Sequence, residues 1–179
     1  SAQEVKVATA HLQDPRLVCD ALAHKYRDAV ATYQRQREEM IAAGKRPPKP
    51  RDVLKPMTER VVAEIHGHAQ HHAGKEAAVP FLILLVEVGG DAATKFSLHD
   101  TQREMVQAAL DGLAGSHRTS PLMGDVIRES LYFVGPTYDR EKIVKQWVDW
   151  VAEEHPEPKC RAQAVLSRGL HLVRMRQAD

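Results

Sequence analysis

An all-α chain is what this sequence predicts, and three observations carry the prediction. Apolar residues recur at spacings of three and four along most of the chain, the period of one buried helix face. Aromatic residues are only 5% of the 179, so aliphatic side chains must fill the core, which suits helix packing better than a sandwich of strands. No segment alternates apolar and polar residues convincingly, as a half-buried strand would. The expectation is a single helical domain over residues 1–179, with about seven helices in antiparallel hairpins forming a short α-solenoid or an irregular helical bundle.

Asp14 is placed to cap the first helix and Pro15 to take its first position, where a missing N–H costs nothing. Leu17, Val18, Ala21, Leu22, Tyr26, Ala29, Val30 and Tyr33 make its apolar stripe, Arg35, Arg37, Glu38 and Glu39 thin it, and Gly44 ends it. Residues 44–51, GKRPPKPR, read as a stiff connector because consecutive prolines fix φ and remove donors. A second helix is expected from about Pro56 to His72, with Met57, Val61, Val62 and Ile65 inward and Gly74 as its stop. Residues 76–88 hold the run FLILLVEV, whose periodicity alone allows a buried strand or a buried helix. Helix is the expectation, since a lone strand would leave its backbone groups unpaired; Pro80 then falls in the first turn and Gly89-Gly90 is read as the stop.

Ser97 is expected to cap the fourth helix with Asp100 at N3, burying Leu98, Met105, Ala109 and Leu113 before Gly115 closes it. A fifth starts at Ser120-Pro121 and carries Leu122, Val126, Ile127, Leu131 and Val134 up to Gly135-Pro136. The sixth opens at Asp139, turns Ile143, Val144, Trp147, Trp150 and Val151 inward, and ends at His155-Pro156. The seventh runs from about Pro158 to Arg176 on Ala162, Val165, Leu166, Leu170 and Val173.

Lys plus Arg is 25 against 24 for Asp plus Glu, so no global field steers the chain toward nucleic acid or anionic lipid. Cys19 and Cys160 cannot make a disulfide framework; they read as small buried residues and fit a reducing compartment, the mitochondrial matrix or the cytosol. The longest apolar run, 80–88, is far short of the roughly 20 residues that span a bilayer. An opening Ser-Ala-Gln without Met reads as a processed or trimmed start.

Two hairpins share a grammar, an apolar helix ending in Val-Gly followed by a polar turn and a longer amphipathic helix, with Val88-Gly89 and Val134-Gly135 as matching corners. Ile127, Leu131, Gly135, Ile143, Val144 and Trp147 fall at the spacings of a pentatricopeptide repeat, with Pro156 and Pro158 near its closing proline. Leu82, Ile83, Val86 and Gly90 fit the first half of the same pattern, so residues 80–176 resemble a pentatricopeptide-like helical-hairpin repeat, although the 89–97 turn is longer than the standard unit. That resemblance implies stacked hairpins whose concave face holds a partner, in organelles commonly single-stranded RNA. Few repeats, balanced charge and no polar code residues turn the expectation toward a protein scaffold, an accessory subunit of a larger complex such as a mitochondrial ATP synthase or ribosome.

Candidate chemistry concentrates in IHGHAQHHAG. His66, His68, His71 and His72 resemble the HxHxDH metal motif of metallo-β-lactamase-fold hydrolases, which implies zinc-activated water, but Gln70 replaces the Asp and helices rather than strands precede it. On a helix, Glu64, His68 and His72 share one face at spacings of four and offer a simple zinc site; the plainer alternative is histidines near the negative pole of a helix end. Lys45, Arg46, Lys49 and Arg51, interleaved with prolines, could contact phosphate or a Pro-recognising groove, the plainer alternative being a solvated linker. Lys159, Arg161, Arg168, His171, Arg174 and Arg176 on the last helix could meet an acidic partner or RNA, the plainer alternative being cations favoured in a helix's last turn. Trp147 and Trp150 read as core anchors. No nucleophile elbow or phosphate loop is present, so no catalytic, cofactor-binding or metal residue is assigned; RNA binding is the alternative function, and zinc binding or hydrolysis through His66–His72 the second.

Overall fold

The computed structural model describes residues 14–124, 127 and 138–178. Among these lie six α-helices and no strand: α1 Pro15–Ala42, α2 Pro50–His71, α3 Val79–Lys95, α4 Asp100–Ala114, α5 Tyr138–Glu154 and α6 Pro158–Ala178, with a 3-10 turn at Glu76–Ala78 before α3. The all-α expectation holds, and FLILLVEV is helical. None of the described helices is long and apolar enough to cross a membrane.

Local chemistry explains most of the boundaries. Asp14 Oδ1 accepts from the Arg16 N–H at 2.9 Å, satisfying one of the orphan donors of α1, and Pro15 follows at N1. Gly44 at φ +68° and Gly74 at φ +73° carry the chain out of α1 and α2 through a backbone region that a Cβ disfavours. Tyr33 donates to the Pro48 carbonyl at 2.8 Å and Lys25 pairs with Glu64 at 2.8 Å farther from the turn, so α1 and α2 run antiparallel. Gly89 faces Val106 and Gly112 faces Leu82, which sets α3 and α4 antiparallel in turn. Arg168 reaches Asp149 at 3.2 Å and Glu153 at 3.4 Å, tying α6 to α5.

Four sequence expectations are corrected. The connector is shorter than residues 44–51, because α2 begins at Pro50 and takes Pro56 inside it. Extending the helix buries Leu54 against Tyr33, and that burial offsets the one hydrogen bond to the Asp52 carbonyl that Pro56 cannot donate. Gly89-Gly90 is not a stop, since α3 runs on to Lys95. A Cβ on Gly89 would lie 2.4 Å from Val106 Cγ2, so this glycine serves a close helix crossing. Ser97 does not cap α4; His99 does, its ring Nδ1 accepting from the Thr101 N–H at 3.4 Å. Phe96 is extended, and Phe96 and Leu98 both enter the core while Ser97 between them is exposed, an alternation only a non-helical segment allows.

The fourth correction concerns α6. Its buried face is Cys160, Ala164 and Ser167, while Ala162 is exposed and Val165 and Leu166 are 56% and 64% exposed. Trp147, Val148 and Val151 of α5 supply the bulk in this part of the core, and small residues on the facing helix let the two backbones approach. On α1, likewise, Cys19, Leu22, Ala23, Tyr26 and Tyr33 go inward and Leu17 is left 64% exposed.

One apolar cluster continues from Cys19 on α1 through α2, α3 and α4 to Trp147 on α5 and Ala164 on α6, with Met123 and Ile127 between the two ends. Phe81, Ile65, Leu85 and Leu113 are essentially fully buried at its centre, each contributing about 1.5–3 kcal/mol relative to exposure. His155, also fully buried, joins α5 to the segment before Met123. Its Nδ1 accepts from the Glu157 N–H at 3.0 Å, so the ring proton sits on Nε2 and is donated to the Ser120 carbonyl at 3.1 Å. Val126, Leu131, Val134, Gly135-Pro136 and the side chains of Ile143, Val144, Leu170 and Val173 lie outside the described residues.

Candidate functional site

Between α1 and α3 lies a cleft of about 690 Å³, within the size range of sites that hold a ligand or a cluster of partner side chains. Ala23, Tyr26, Arg27, Val30, Ala31 and Gln34 line it from α1, recurring every three to four residues as one helix face. Leu84, Glu87, Val88, Asp91 and Lys95 line it from α3 in the same way. The bed is apolar and six polar or charged side chains, Tyr26, Arg27, Gln34, Glu87, Asp91 and Lys95, give it chemical character.

Tyr26 is buried and its hydroxyl donates to Asp91 Oδ2 at 2.6 Å, a charge-assisted bond. Asp91 Oδ1 in turn pairs with Lys95 one helical turn on. Burial, and then the Asp91 carboxylate, push the Tyr26 phenol well above its ordinary range, so it stays a neutral donor. Glu87 is also engaged, whereas Arg27 makes no hydrogen bond or ion pair among the described residues and is exposed at the cleft edge. On the core side of α1, burial raises the Cys19 thiol to about 12, with Asp20 and Glu87 adding to the effect, and its Sγ donates to the Pro80 carbonyl at 3.3 Å. A thiol held in that state is a small core residue and not a nucleophile. Asp91 is occupied by a phenol and an ammonium, so the arrangement suits recognition better than proton transfer.

The histidines that the sequence singles out sit at the end of α2 and do not enter this cleft. His68 and His72 both stack on Phe81, with centroids at 5.2 and 5.8 Å and planes within 14° and 4° of it. Both imidazoles are thus engaged with the Phe81 ring. Glu64, the third member of the postulated site, pairs with Lys25, and His66 shares a 3.2 Å hydrogen bond with Gln70. His71 meets His72 edge-on at 4.9 Å. Among the described residues no group of three or more His, Cys, Asp or Glu is arranged to hold a metal ion.

Lys45, Arg46, Lys49 and Arg51 are all exposed, with Arg51 paired to Asp52 at 3.4 Å. Lys159 is exposed, Arg161 donates to the His155 and Pro156 carbonyls just beyond α5, and Arg168 is engaged with α5; the side chains of His171, Arg174 and Arg176 lie outside the described residues. Trp147 is buried as expected, while Trp150 is only partly buried, with the Arg118 guanidinium 4.7 Å over its ring.

Sequence reasoning placed Tyr26 and Val30 on a core stripe and passed over Arg27, Glu87, Asp91 and Lys95. One signal was available: Glu87 and Asp91 interrupt the most apolar helix of the chain, and a carboxylate there needs a partner. Which partner it has depends on α1, which is 65 residues away in sequence at the Tyr26–Asp91 bond. No known protein family, curated protein or solved structure matches the chain.

Proposed function

We propose that this chain is a non-enzymatic helical scaffold that docks other proteins in the cleft between α1 and α3, serving as an accessory subunit of a larger assembly. The observation that carries the reading is the cleft itself: an apolar bed of about 690 Å³, walled by two regular helix faces, whose one buried polar network is already satisfied internally. Such a surface is complementary to apolar partner side chains and offers little for catalysis. Ala31 lines the cleft and is exposed, so Ala31→Trp fills the cleft without touching the core. With wild type and Ala31→Trp as paired baits, a partner recovered by the first and lost by the second supports the proposal. Identical partner sets for both baits remove the cleft from consideration.

A second reading, RNA binding through the connector, is favoured by the exposure of Lys45, Arg46, Lys49 and Arg51 within seven consecutive positions, 45–51. It requires affinity for single-stranded RNA that falls steeply between about 50 and 200 mM salt. Affinity unaffected by replacing all four cations would dismiss it.

A further inference from the structure

We propose that the occupant of the α1–α3 cleft is an amphipathic helix of a partner protein, seated with an acidic residue against Arg27. This rests on the docking role proposed above and adds the partner's chemistry. The length of the cleft comes first: its α3 wall runs from Leu84 to Lys95, twelve residues of helix whose ends are about 16 Å apart at 1.5 Å per residue. The α1 wall also runs twelve residues, from Ala23 to Gln34. Two helical walls of equal length around an apolar bed match three turns of a third helix, whose own anchors fall at i, i+3, i+4 and i+7. An extended peptide has no open sheet edge to pair with here, since no strand exists among the described residues.

Charge chooses among such helices. On the α3 wall, Asp91 is held by Tyr26 and Lys95, and Glu87 is engaged as well. On the α1 wall, Arg27 is an exposed guanidinium with no ion pair among the described residues. A helix laid between them meets a cation on one side and a neutralised wall with Glu87 on the other. Its complementary sequence places Asp or Glu on the edge facing α1 and no acid on the edge facing α3.

The test is selection from a displayed library of helical peptides, with fixed aliphatic anchors at i, i+3, i+4 and i+7 and randomised flanks. It is run against the full chain, Arg27→Glu and Ala31→Trp. Enrichment of acids on one flank with wild type, replaced by Lys or Arg with Arg27→Glu, is the expected result. In titrations of a selected peptide against its Lys counterpart, the preference at this exposed site is up to about fivefold. Peptides lost with Ala31→Trp but indifferent to Arg27→Glu would overturn the acidic-helix assignment and leave the cleft as the docking site. Peptides that bind all three chains alike, or no enrichment at all, would overturn both.

Discussion

Gly89→Ala tests whether the α3–α4 crossing depends on the absence of one side chain. Two effects of opposite sign compete. In a helix interior, Ala is favoured over Gly by about 0.5–1 kcal/mol. Against that, the new Cβ would sit 2.4 Å from Val106 Cγ2 and 3.0 Å from Cγ1, where carbon atoms normally rest about 3.5–4.0 Å apart. Val106 is 1% exposed and β-branched, so it has no free rotamer to retreat into, and the helices must separate by about 1 Å. Overpacking of this kind costs about 1–3 kcal/mol, and with Val106 unable to yield the middle of that range applies, about 2 kcal/mol, which leaves a net loss of about 1 kcal/mol. Gly67 on α2 is the matched control, because it is exposed and nothing lies within 4 Å of its would-be Cβ. Gly67→Ala therefore gains about 0.5–1 kcal/mol. Urea unfolding followed by helical circular dichroism measures both, and Gly89→Ala in a Val106→Ala background should cost clearly less than in wild type. A Gly89→Ala protein as stable as wild type, or effects that add within about 0.5 kcal/mol in the double variant, would refute the packing argument.

Three further outcomes are expected. Tyr26→Phe deletes only the hydroxyl that donates to Asp91, and with Lys95 still paired to that carboxylate the loss in urea unfolding should be about 1–2 kcal/mol; a neutral result would show that the bond contributes nothing. Because burial raises the Cys19 thiol from 9.0 to about 12, the unfolded chain releases that proton first as pH rises. Stability is then whole below about 9 and falls toward 12, at up to about 1.4 kcal/mol per pH unit from this group, and Cys19→Ala should flatten the slope; an unchanged alkaline limb would count against it. His155→Ala removes two hydrogen bonds and strands the Ser120 carbonyl, so a loss of about 2–4 kcal/mol is expected, and a change under 0.5 kcal/mol would deny His155 its bridging role.

Much of the helical architecture was legible because its causes are local. Asp14-Pro15, Gly44, Gly74, Gly115 and His155-Pro156 mark ends of helices through capping, left-handed backbone or a missing donor, and each of these acts within a few residues of itself. Where the reading failed, a distant neighbour decided. Gly89 looks like a stop until Val106 is placed against it, and Leu98 looks like helix until Tyr33 and Leu54 offer it and Phe96 a pocket. Val165 and Leu166 look like core until Trp147 and Val151 take the volume on the facing helix.

The cleft belongs wholly to that second class. Period and caps in the sequence determine that α1 and α3 are helices and which of their residues share a face. They do not determine that the Tyr26 face meets Asp91, or that Ala31 and Val88 leave a gap between them, since side-chain volumes summed across chain-distant elements settle how helices pack. Helix formation depends on neighbours within four residues, whereas a docking surface is whatever apolar area remains once every helix has found its place.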